Sequence, residues 1–245
     1  MGASGGVTRN TLRQQIADAL RDEVLSGRLQ PGREFTVKQI AEQYGVSATP
    51  VREALFDLSA QGLLESDQHR GFHVREFSVA DYRSMVEARA LVIDGVFRGL
   101  FAGEEPARAR LAPYRDALVS VRRRAEEAAR AARCGDLDIL IGYDLRFWRE
   151  LGAIVDNTYI TDFLHRLRVQ AWVFAVPYLR GDADVRDWLW NGHQELVEAI
   201  IEVDEDAVRA VLDAYKEHGL KWADRLANGN PAHPGRGAGT AGPAE

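Results

Sequence analysis

Apolar residues recur every three to four positions along almost the whole chain, the period of helices with one buried face. Leu12, Ile16, Leu20 and Val24 form the first stripe, which the turn sequence SGRLQPG ends. A short helix over about 37–44 stops at Gly45, and the next carries Val51, Ala54, Leu55 and Leu58 before closing at QGLLE. The run Phe72-His73-Val74, separated from Leu64 by QHRG, reads as one strand of a two-stranded hairpin. From Val79 onward the pattern predicts only helices, over about 79–102, 104–133, 136–155, 158–179, 182–203 and 205–227. In the second of these, Leu111, Tyr114, Leu118, Val121, Ala125 and Ala128 keep a heptad rhythm, which predicts lengthwise packing against neighbours.

The expected fold is mainly α: an N-terminal module with a small β-hairpin over 8–76, then an all-α antiparallel bundle over 79–227. The Gly-, Pro- and Ala-rich stretch 228–245 has almost nothing to bury and is expected to be disordered. Composition changes this picture little. With 245 residues, 46% apolar and 28% charged, the chain reads as an ordinary soluble protein, long enough for one large domain or two small ones with a sizeable core. Its single cysteine, Cys134, excludes a disulfide within the chain and fits a reducing cytoplasm. The first ten residues lack the apolar core of a signal peptide, and no uncharged run reaches bilayer length, so a cytoplasmic protein without a membrane partner is expected.

The stretch VKQIAEQYGVSATPVREAL carries the first chemistry. Gly45 supplies the positive-φ residue after one helix, Ser47 can cap the next, and Pro50 falls in its first turn. Val51, Ala54, Leu55 and Leu58 face inward, so positions 48, 49 and 52 share the outward face at the helix N-terminus. That is the end a recognition helix presents to the DNA major groove. Arg52 can reach a guanine edge or a phosphate, and the Ser47 and Thr49 hydroxyls can bond either. Lys38 points toward the flanking backbone, and His69, Arg70 and Gly71 form a hairpin tip suited to an adjacent groove. A net charge of −6 argues against nucleic acid, but residues 1–76 hold 9 Lys+Arg against 10 Asp+Glu, so this module is near neutral. Its binding should rest on geometry, with a modest salt slope.

Residues 12–75 resemble the winged helix-turn-helix of GntR-family transcriptional regulators, most specifically through VSATPVREAL. The resemblance implies that Lys38, Ser47, Thr49, Arg52, His69, Arg70 and Gly71 contact DNA. Ala48 stands where the family usually has arginine, which implies a base preference different from the common half-site.

In the bundle, four polar residues interrupt apolar stripes on four helices. Arg89 falls among Tyr82, Val86, Ile93 and Phe97, and Asp144 among Leu137, Leu140, Phe147 and Leu151. His193 belongs with Leu189, Leu196 and Ile200, and Tyr215 with Val208, Leu212 and Trp222. If these stripes share an interior, an arginine, a carboxylate, an imidazole and a phenol converge on a small-molecule or metal site. The structural alternative is a satisfied network, Arg89 pairing with Asp144 and His193 with Tyr215. The segments VEARALVIDG, YDLRFWRELGAIVDN and GHQELVEAIIEVDEDAVRAVLDAYKEH resemble the FCD ligand-binding domain of the FadR subfamily. Most members bind a divalent metal through one aspartate and three histidines. Here Asp144 and His193 match, whereas Trp148 and Tyr215 replace the second and fourth ligands. Tryptophan cannot ligate a metal and neutral tyrosine is a poor ligand. The departure implies no metal cofactor, or one held weakly, and an effector site of Arg89, Asp144, Trp148, His193 and Tyr215. Arg89 would anchor a carboxylate whose body is apolar or aromatic.

The resulting expectation is a homodimeric, ligand-responsive regulator, a repressor, that binds a palindromic double-stranded operator and is not an enzyme. The alternatives are a metal-dependent regulator sensing an organic acid through Asp144 and His193, and a helical metal-dependent enzyme. A nucleoid-type protein without effector fits least. No HExxH or Gly-rich phosphate loop supports catalysis.

Overall fold

Capping residues decide where the helices begin and end in the structure, a computed structural model that describes residues 11–67, 70–102 and 106–229. The chain divides into two units, 1–76 and 77–245. In the first, Thr11 opens α1 (Leu12–Leu25) and Thr36 opens α2 (Val37–Tyr44), each through a reciprocal capping box with a glutamine. α3 (Ala48–Ala60) packs on both through Val51, Ala54, Leu55 and Leu58, all essentially inaccessible. β1 (Glu34–Phe35) pairs with β3 (Gly71–Val74), which pairs with β2 (Leu64–Asp67), giving an antiparallel sheet in the order β1-β3-β2. The expected hairpin therefore has a third strand. Two residues are too short for a period-2 signal, so β1 is defined only by its pairing of Phe35 with Phe72.

The second unit is all α among its described residues: α4 (Val79–Phe101), α5 (Ala107–Leu111), α6 (Arg115–Cys134), α7 (Leu137–Ala153), α8 (Thr158–Arg180), α9 (His193–Glu202) and α10 (Glu205–Gly229). Two expected helices differ. The helix over 104–133 is broken by a 3₁₀ turn at Ala112–Tyr114, because Pro113 cannot continue the α ladder even though the apolar rhythm runs through it. The helix over 182–203 starts only at His193. Asp182 accepts the backbone N–H of Asp184 and pairs with Arg225, which holds 182–184 in a turn, and Leu189 is extended. α10 runs to Gly229, and the stretch expected to be disordered lies otherwise outside the described residues.

The bundle core forms where α6 lies along α7 and α9. Val121, Ala125, Ala128 and Ala129 are fully buried, and these small side chains let α6 approach closely while Phe147, Leu196 and Ile200 fill the gap. No helix among the described residues is long and apolar enough to cross a membrane.

Candidate nucleic-acid interface and interior polar site

Gly45 ends α2 at φ +64°, where a side chain would strain the backbone, and this turn sets α3 on its own course. Ser47 occupies the N-cap of α3 with extended backbone, yet its side chain makes no cap hydrogen bond. The expected side-chain cap is therefore absent. Pro50 removes one N–H from the first turn, which lessens the need for it, and the hydroxyl is left for another partner. Ser47, Ala48, Thr49 and Arg52 are all exposed, and Arg52 has no ion pair among the described residues. Lys38, on α2, lines one shallow hollow with Ala48, Arg52 and Gly71. It lies 3.8 Å from Glu42, a loose exposed pair that phosphate can displace. Arg70 is exposed at the turn before β3, 3.2 Å from Glu34. Gly71 has φ +92°, and a Cβ there would lie 2.7 Å from the Phe35 carbonyl oxygen, so only glycine lets β3 begin this close to β1. His69 lies outside the described residues.

The second site is inside the bundle. Asp144 and Trp148 lie one turn apart on α7, and Arg168 and Trp172 one turn apart on α8. α4 contributes Arg89, α10 contributes Tyr215, and His193 opens α9. Asp144 is the hub. Its Oδ1 accepts from the Trp148 indole (3.0 Å) and faces His193 Nε2 (2.9 Å), while Oδ2 accepts from the Trp172 indole (2.8 Å). Burial alone would raise the Asp144 pKa. The His193 bond, the charge of Arg168 and the Trp172 bond outweigh it and hold the carboxyl at about 2. Burial lowers the His193 pKa despite Asp144, so the imidazole is neutral. Its Nε2–H then donates to the carboxylate, leaving Nδ1 as an acceptor; that atom is buried and has no partner among the described residues.

The two arginines differ from their expected roles. Arg168, 1% exposed, donates to the Tyr215 hydroxyl and stacks 4.0 Å over the Trp148 ring, and its Nε is unpartnered among the described residues. Arg89, 6% exposed, lies 4.3 Å over the Tyr215 ring. Neither forms an ion pair among the described residues. The satisfied-network alternative is thus not the arrangement observed: Arg89 does not pair with Asp144, nor His193 with Tyr215. With two guanidiniums, one carboxylate and a neutral imidazole, the interior carries a net charge of about +1. These groups line a cavity of about 70 Å³, walled further by Tyr82, Trp190 and His218. Beside it lies a mostly apolar cleft of about 600 Å³ between α4, α7 and α8, which also has Trp148 and Arg168 on its wall.

Residues 12–74 match the model of the bacterial regulatory proteins of the gntR family, and residues 95–218, half of the chain, match that of the FCD domain. The chain belongs to the GntR family of transcriptional regulators. This GntR regulator is 28% identical over 194 residues to a probable D-xylose utilization operon transcriptional repressor of Paenarthrobacter nicotinovorans, covering 79% of this chain and 80% of that one. It is 26% identical over 200 residues to the HTH-type transcriptional repressor RspR of Escherichia coli, covering 81% and 83%. The fold is shared with E. coli McbR/YncC, at TM-score 0.69 and 21% identity over 90% of this chain and 100% of that one. The family consists of regulators rather than enzymes, and its GntR module binds DNA operators.

Of the expected effector residues, the structure brings Arg89, Asp144, His193 and Tyr215 to one cavity and places Trp148 against them, stacked on Tyr215 with ring centres 5.3 Å apart. Sequence reasoning missed Arg168 and Trp190. Arg168 had the same signature as the others, a charge within the apolar run of α8 between Leu164 and Ala175. Trp190 lies in the non-helical connection before α9 and carries no periodic signal. His218, one turn past Tyr215, bonds the Trp188 carbonyl at 3.0 Å.

A divalent metal does not suit this donor set. Both Asp144 oxygens are engaged by N–H donors, His193 turns Nε2 to that carboxylate, and a guanidinium sits against the two aromatic rings that stand at ligand positions. Among the described residues no group of three or more His, Cys, Asp or Glu could hold a metal ion.

Proposed function

We propose that this GntR regulator is a cytoplasmic, homodimeric repressor. It sets two α3 N-termini over a palindromic operator, and its DNA affinity changes when a small carboxylate-containing metabolite enters the bundle. Lys38, Ser47, Thr49, Arg52, His69, Arg70 and Gly71 are its DNA contacts, with Arg52 the base reader. One observation supports the effector reading above others: two buried guanidiniums without an ion pair among the described residues, facing one cavity. An uncompensated buried cation is costly, and an anionic ligand relieves it. Arg89 anchors the carboxylate. The adjoining 600 Å³ cleft suits an apolar or aromatic body. The effector shifts the populations of two head spacings by its differential affinity for them.

Mobility shifts on DNA upstream of its own gene, with and without a panel of carboxylates, test this reading. At least one carboxylate should change the retarded fraction, and Arg89→Ala should abolish that response while leaving DNA binding intact. A response equal in wild type and Arg89→Ala removes Arg89 from the site.

A further inference from the structure

The exposed face of α3 carries one large apolar side chain. Phe56 is 54% exposed, while the other described aromatics of the first unit, Phe35, Tyr44 and Phe72, are buried or half-buried. It follows Thr49 by seven positions, Arg52 by four and Glu53 by three, so it shares the outward face of the helix with them. The ring is not loose. It meets Phe72 of β3 edge to face, with ring centres 5.6 Å apart and planes at 76°. That contact holds it between α3 and the strand that starts at Gly71, so little freedom is lost when its open surface is covered.

We propose that Phe56 is a base-reading residue that packs its ring on the C5-methyl group of a thymine in the major groove. The inference rests on α3 being the reading helix and adds to it a contact of a different kind. Arg52 and Thr49 recognise bases or phosphates through hydrogen bonds, whereas a phenyl ring has none to give. Phosphate and sugar contacts come from donors, so the ring gains little from the DNA backbone. The thymine methyl is the apolar group that base edges present in the major groove, and phenylalanine suits it. Phe56 sits one helical turn, about 5.4 Å, behind Arg52, so both fit a groove about 12 Å wide. The near-neutral charge of residues 1–76 favours the same arrangement: a module with little net attraction for phosphate draws more of its preference from base contacts.

The experiment starts from a DNA site obtained by binding-site selection with the full chain. Each thymine in it is replaced in turn by deoxyuridine, which pairs identically and lacks only the methyl. In mobility shifts, at least one replacement should weaken wild-type binding about three- to fivefold, the worth of one buried methyl contact. Phe56→Ala should bind the thymine site about that much more weakly and be indifferent to the same replacement. Phe56→Gln, whose longer stem still covers Phe72, should show the same indifference and carries the test where Phe56→Ala does not fold. A selected site without thymine, wild-type binding insensitive to every methyl, or a methyl penalty that persists in both variants overturns the assignment. Arg52→Ala, run alongside, separates the two readings. Where it loses binding and no methyl matters, Phe56 drops out and α3 remains the reading helix; where neither change matters, both fall.

Discussion

Replacing Asp144 with asparagine removes the one buried negative charge among the described residues of the bundle while keeping its shape, and the cost can be worked from the structure. The carboxyl is held at about 2 against an ordinary 3.8, so the native state favours its ionised over its neutral form by roughly 2.5 kcal/mol. Asparagine is neutral and forfeits that preference. It also replaces one acceptor oxygen with an NH₂; in the Oδ2 place that group faces the Trp172 indole N–H, while the remaining oxygen keeps the bonds from Trp148 and His193. One orphaned donor adds about 1–2 kcal/mol. Asp144→Asn should therefore destabilise the bundle by about 3–5 kcal/mol, the range for breaking a buried charge cluster. Urea unfolding followed by tryptophan fluorescence reads this cleanly, because all five tryptophans lie beyond residue 147 and report on the bundle unit alone. A loss below about 1 kcal/mol would refute the reasoning, since it would mean that Asp144 neither satisfies those donors nor offsets Arg168.

Acid should expose the same carboxylate in the wild type. Its folded-state value is depressed, so its contribution is complete above about pH 4 and is lost as the pH falls toward about 2, with roughly half gone by pH 3. His193 is also depressed, which adds a loss beginning below its ordinary 6.5; unfolding free energy that stays flat through both windows contradicts the burial of these groups. Arg52→Ala should weaken operator binding about 5- to 150-fold without lowering the melting temperature, because Arg52 is exposed and has no ion pair among the described residues; mobility shifts and calorimetry check both halves. Gly71→Ala should destabilise the N-terminal unit by about 1–3 kcal/mol, seen by circular dichroism and silent in tryptophan fluorescence, since the new Cβ meets the Phe35 carbonyl at 2.7 Å. Ala48→Arg adds a guanidinium at the exposed start of α3 and should alter base preference at one operator position in a binding-site selection.

Local chemistry was legible from the sequence. A 3.6-residue apolar period, Gly45 after α2 and Pro50 inside α3 each act within one or two turns, so the helices of the first unit and the exposed N-terminus of α3 follow without knowledge of the rest. Where local signals conflict, the stronger steric constraint decides: Pro113 broke a helix that the heptad rhythm carried onward. The polar stripe residues announced that something non-apolar occupied the bundle interior, but not how it was arranged. Periodicity gives the face on which a side chain lies, never its partner. Asp144 meets His193 across 49 positions, and Arg168 meets Tyr215 across 47. Those choices depend on how each helix packs against its neighbours, which residues far apart in the chain decide together. The sequence by itself therefore determined a helix with an exposed N-terminus after a glycine turn and a polar interior, because both are written in short-range spacing. Only the tertiary structure decided that two arginines share that interior with a single carboxylate, because charge balance in a core is a property of residues far apart in the chain.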